Sequence, residues 1–218
     1  MDTRHAPAST PSGHSPVRRR LPPALRMHQI LDAALVQFAE GGYAETRMDD
    51  IARRAGLSKG GLYAHFRSKE RVFEALLERG LAPLPLDVAA LVDFAPDLRT
   101  LIERFLAQVY EWIGQPDRIR VLRLLLTESQ RVPELVQRWR EEAVAQHLRA
   151  VTDMLRRARE RGLCGDTVLI EQPWLALSPL VHGIVLTLTE PPGSTAGWIE
   201  RRDAHVRLLC EVLGATAR

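Results

Sequence analysis

The chain has 218 residues, 45% hydrophobic and 26% charged, with a formal net charge of +3, a size that holds one large domain or two small ones. No run of about 18 apolar residues is long enough to span a membrane, and no apolar block follows the first basic residues as in a secretory signal. The two cysteines, Cys164 and Cys210, lie too far apart for a disulfide framework or a zinc site, so a cytoplasmic protein with no metal and no cofactor is expected.

The charge is unevenly placed. Residues 1–26 hold five arginines against one acid, Asp2, and residues 53–71 hold six basic side chains against one acid, Glu70. Local excess of that kind is what phosphate binding needs, although a charged helix face looks the same.

Taken in order, residues 1–22 are rich in Pro, Ser, Thr, Ala and His and predict a disordered basic tail, with Arg18, Arg19 and Arg20 able to follow a nucleic-acid groove. Everything beyond reads as helix. A first helix is predicted over 24–40, with Ile30, Ala33, Ala34 and Phe38 at helical spacing and Gly41-Gly42 as its stop. Three more follow over 48–55, 59–65 and 69–79. Ser58 and Ser68 stand as N-caps of the last two. Residues 82–85, Ala-Pro-Leu-Pro, break the pattern. Six further helices are expected over 86–93, 96–113, 117–130, 133–161, 171–190 and 196–213. The 133–161 helix carries an apolar stripe of Val136, Trp139, Val144, Leu148, Val151 and Leu155. The 171–190 helix has little polar face and should be buried on most sides, with a kink at Pro179.

Residues 46–66 form two short helices joined by Gly56-Leu57-Ser58, a helix-turn-helix whose second helix can enter a major groove. Ile51, Ala55, Leu57, Leu62 and Phe66 supply the apolar positions that pin it. Lys59, Gly60, Gly61, Tyr63, Ala64 and His65 are left for the outer face, where small residues permit close approach to base edges and Tyr63, His65 and Lys69 can donate to phosphate. Gly56-Leu57-Ser58-Lys59-Gly60 also fits the nucleophile-elbow pattern, but that motif needs a preceding strand, so Ser58 is read as a helix cap and no enzyme is expected.

The run Arg26…Ile30-Leu31-Asp32-Ala33-Ala34, Phe38…Gly42-Tyr43, Thr46…Ile51-Ala52…Ala55-Gly56-Leu57-Ser58-Lys59-Gly60…Leu62-Tyr63…His65-Phe66…Ser68-Lys69-Glu70 resembles the DNA-binding domain of the tetracycline-repressor (TetR) family. The resemblance covers 27–77, about a quarter of the chain, and the 122–139 run is similar to one regulatory-domain subgroup. It implies an all-α fold: a three-helix helix-turn-helix DNA-binding domain plus a helical ligand-binding and dimerisation domain. It assigns DNA contact to Thr46, Arg47, Ser58, Lys59, Gly60, Gly61, Tyr63, Ala64, His65 and Lys69. Arg47 is a departure, standing where the family has a second hydroxyl residue. Arginine reaches phosphate but cannot cap a helix, so Thr46 or a shifted start is expected to cap. The division expected is 1–22 tail, 23–83 DNA-binding domain and 84–218 regulatory domain.

The implied partners are a palindromic duplex operator, a second copy joined through the last two helices, and a small-molecule effector. Phe105, Trp112, Glu128, Trp174 and His182 are the pocket candidates, each weighed against an ordinary core, interface or capping role. The function expected is a repressor released from its operator by a small, mostly apolar ligand. The alternative is a dimeric DNA-binding regulator with no such ligand.

Overall fold

A computed structural model describes residues 22–190 and 197–214. The arginine cluster at 18–20 and the expected helix start at residue 196 lie outside the described residues. Among those described, every regular element is helical: α1 (Pro23–Glu45), α2 (Met48–Arg54), α3 (Lys59–Tyr63), α4 (Lys69–Gly80), α5 (Val88–Asp93), α6 (Leu98–Ile113), α7 (Pro116–Glu128), α8 (Pro133–Trp139), α9 (Ala145–Glu160), α10 (Val168–Glu171), α11 (Trp174–Thr189) and α12 (Trp198–Gly214). No helix among them is long and apolar enough to cross a membrane.

The first four helices close around aromatic side chains. Phe38, Tyr43 and Phe73 pack with ring centroids 4.8 to 5.6 Å apart. Ile30, Ile51, Leu62 and Leu76 fill the space between them and are fully buried. Removing Phe73 to alanine should cost about 3–5 kcal/mol. The expected glycine stop is at Gly42 alone: it turns at φ +75°, a conformation open to glycine, before a last turn reaches Glu45.

The remaining helices bury one stripe each. Along α6 the stripe runs Leu101, Ile102, Phe105, Leu106, Val109, Tyr110 and Ile113, a 3–4 spacing that sets one face inward. α12 packs on α6 and on α11, and α9 packs on α5 and α10. α7 touches both α1 and α4, so the N-terminal helices share a core with the rest. At one point α4 and α7 nearly meet: a Cβ on Gly80 would stand 2.8 Å from a methyl of Val121.

Two elements differ from expectation. The predicted 133–161 helix is interrupted by a π-helical turn, Arg140–Val144. The extra residue in that turn brings Trp139 and Val144, five apart, onto one side. The predicted 171–190 helix is divided at Pro173, with α10 before it and α11 after it, and Pro179 lies inside α11 without an N–H to donate. α11 is buried on one side only. Trp174, Val181, His182 and Val185 are exposed along the other.

Candidate nucleic-acid interface and the cavity behind it

α2 and α3 present a shallow groove lined by Thr46, Arg47, Asp49, Lys59, Tyr63 and Lys69. α3 begins at Ser58, whose Oγ accepts from the Gly61 N–H at 3.1 Å, satisfying a donor that has no partner within the helix. This serine follows a helix and a turn, not a strand, so it has the setting of a cap. Lys59 reaches Asp49 at 3.2 Å, with both side chains largely exposed, a pair of small worth that phosphate can displace. Tyr63 is 41% exposed, and Ala64 and His65 are exposed beside it. Nothing lies within 4 Å of a Cβ placed on Gly60, whereas one on Gly61 would stand 3.2 Å from Ser58 Oγ. Gly61 therefore has an internal reason to be small and Gly60 does not.

Two of the expected DNA contacts are engaged within the protein. Thr46 is buried, and its hydroxyl donates back to Gly42 O at 2.7 Å, with Gln37 O at 3.1 Å. It neither caps α2 nor offers its hydroxyl outward. Instead Asp50 accepts the Arg47 N–H at 3.1 Å, which leaves the exposed Arg47 guanidinium at the groove. Lys69 Nζ donates to Tyr43 O at 2.6 Å and Ala44 O at 2.9 Å and lies 4.6 Å from the Tyr43 ring centre. Its charge borders the groove, but two of its three N–H bonds hold the end of α1.

Behind this region lies a cavity of about 330 Å³. Phe105 and Trp112 are in its wall, together with Leu81, Leu84, Trp139 and His147. Glu128, Trp174 and His182 are not. Glu128 is buried at the α1–α7 junction, accepting from Tyr43 N–H at 3.3 Å and from Arg131 at 2.7 Å. Trp174 is exposed and donates to Gln172. His182 is exposed on α11, while Leu177, Leu180, Val181, Ile184, Val185 and Leu188 of that helix line the cavity.

The histidines that matter were not distinguishable in the sequence. His147 sets Nδ1 2.7 Å from Ala143 O and accepts the Leu84 N–H on Nε2 at 3.0 Å. Burial lowers its pKa, and the nearby Arg118 charge works in the same direction. His205, fully buried, sets Nε2 2.8 Å from Ala176 O and takes the Tyr110 hydroxyl on Nδ1 at 3.2 Å. Burial lowers its pKa too and pushes Tyr110 up to about 12. The cavity leucines at 81, 84 and 86 were hidden by the prolines that mark this stretch as a linker.

Residues 30–76 match the family described as "Bacterial regulatory proteins, tetR family" and residues 93–202 match "Tetracyclin repressor-like, C-terminal domain", which by itself takes in half the chain. The chain belongs to the TetR family. Within that family of transcriptional regulators it is 41% identical over 70 residues to HTH-type transcriptional regulator SrpR of Pseudomonas putida, covering 32% of this chain and 30% of SrpR. It is 28% identical over 171 residues to HTH-type transcriptional repressor AcnR of Corynebacterium diphtheriae, covering 76% and 82% of the two chains. A TetR-family transcriptional regulator from Mesorhizobium loti has the same fold, with a TM-score of 0.68 at 22% identity over 87% of this chain and 96% of that one. The chain spans less than half of SrpR's own length.

Proposed function

We propose that this TetR-family regulator is a homodimeric repressor, released from a palindromic operator by a small, uncharged, mostly apolar ligand. The observation that carries DNA binding is the groove in which Arg47, Lys59 and Tyr63 stand together beside the unobstructed Gly60. Two cations and a hydroxyl donor next to a helix backbone that can approach base edges suit phosphate positioning and major-groove entry. The 23–83 segment serves as the DNA-binding unit and 84–218 as the regulatory one. Repression is named from the relative AcnR.

Dimerisation through α11 and α12 is supported by their exposed sides. α11 leaves Trp174 outward, with the half-exposed Val181 and Val185 at the edge of the cavity they also line, and α12 leaves Ile199, Leu208 and Val212 outward, on two helices that pack together. Two such stripes per chain suit a four-helix interface with two-fold symmetry. A dimer of that kind sets its α3 helices for successive major grooves, about 34–36 Å apart. The ligand class follows from the cavity wall, which is hydrocarbon and aromatic rings except for His147, whose two nitrogens are both occupied. No carboxylate or guanidinium faces a charged ligand there.

The test is a gel shift and footprint with the DNA upstream of the protein's own coding region, at about 0.15 M salt. A two-fold footprint that is lost with Lys59→Ala supports the reading. No specific retardation of any genomic fragment would sink it.

A further inference from the structure

The segment leaving α4 is held at two points by groups that meet on one tryptophan. Arg118, from α7, donates to Gly80 O at 2.8 Å, and its guanidinium lies 4.1 Å from the Trp112 ring centre. His147, from α9, accepts the Leu84 N–H at 3.0 Å, and its ring lies 5.1 Å from the same tryptophan. Trp112 is in the cavity wall, and so are Leu81 and Leu84 of the held segment. Pro83 and Pro85 carry no N–H, so Leu84 has the one amide donor of residues 83–85. Among the described residues, a further polar tie between α4 and the helices around the cavity is the Glu74–Arg138 ion pair. Arg138 is half exposed there, so water weakens it. Both bonds to 80 and 84 are partly buried.

We propose that Arg118 and His147 form a two-point latch on residues 80–84, joined through Trp112, and that this latch carries cavity occupancy to α4. The proposal rests on the ligand reading above and adds the route. An occupant pressing on the Trp112 ring disturbs the ring contacts that aim Arg118 and His147, and both holds on the segment loosen together. Trp112 acts here as a positioning residue.

Amide hydrogen exchange on the full-length protein reads the latch at Leu84, the one amide between its flanking prolines. Losing one net hydrogen bond corresponds to about fivefold faster exchange. His147→Leu should speed Leu84 exchange by about that factor, and His147→Gln, which keeps an acceptor, should restore much of the protection. Arg118→Gln should speed it as well, although Arg118 does not touch Leu84. The probe is N-phenyl-1-naphthylamine, an uncharged apolar fluorophore whose binding its own emission reports. In the wild type the bound probe should speed Leu84 exchange. In the Arg118→Gln/His147→Leu double variant it should bind and change nothing. An equal probe effect in both proteins overturns the latch, as do single variants that leave Leu84 protected. Should the probe bind none of the proteins, the ligand reading fails, and the single variants alone decide the latch.

Discussion

Tyr43 is held by every polar atom it has. Glu128 takes its N–H, Lys69 donates to its carbonyl, and its hydroxyl lies 3.3 Å from Glu70. Replacing Glu128 with leucine should leave a buried N–H unpaired and cost about 1–3 kcal/mol, read as a lower urea midpoint with an unchanged slope. Gly60 poses the opposite case. Gly60→Glu should leave the melting temperature unchanged, since nothing within 4 Å opposes a side chain there, yet reduce DNA binding more than about tenfold by setting an acid against phosphate. His205 makes a prediction in pH. Its folded-state pKa is lowered, so the unfolded chain binds the proton more readily, and stability is full above its ordinary value of 6.5 and falls as pH drops below it. Tyr110, pushed up to about 12, stays protonated throughout. The urea midpoint should fall between pH 7.5 and 5.5 by more in the wild type than in His205→Gln. An equal fall would remove His205 as the cause. At this scale the sequence was a partial guide. Ser58 caps α3 as its spacing predicts and Tyr63 is exposed on that helix, whereas Thr46 and Glu128 turn inward because their partners, Gly42 O and Tyr43 N–H, sit on a turn that no periodicity describes.

Helices were more legible than side chains, because a 3–4 apolar stripe names both an element and its buried face. The exceptions have local causes. The π-helical turn left a trace in the 133–161 stripe, whose steps of three and four residues are broken by a step of five from Trp139 to Val144. Only the structure says that both residues belong to one wall. α11 is apolar on nearly all sides, but its own chain covers one side of it; the expected burial on most sides included the helices of a second copy. The exposed stripes of α11 and α12 carry a prediction at this scale. Trp174→Glu with Leu208→Glu should convert a dimer to a folded monomer in sedimentation, with helical content retained. A dimer that survives both charges would place the interface elsewhere.

For the molecule as a whole, the contacts of α7 with α1 and α4 give the two halves a shared core. All four tryptophans lie beyond residue 111, while the helices of the DNA-binding unit carry none. Tryptophan fluorescence therefore reports the second half and far-ultraviolet dichroism reports every helix. Their urea midpoints should coincide. Separated midpoints would mean that the junction through Gly80, Val121 and Glu128 is weaker than its packing implies. The closeness of Gly80 to Val121 also has an evolutionary side. A ligand acts on one molecule at a time, but a single base change at codon 80 inserts a methyl group that α7 has no room for, in every copy the cell makes. Under the proposed coupling, a lineage in which permanent expression of the regulated genes is an advantage has a one-step heritable route to it, with the DNA-reading residues left intact.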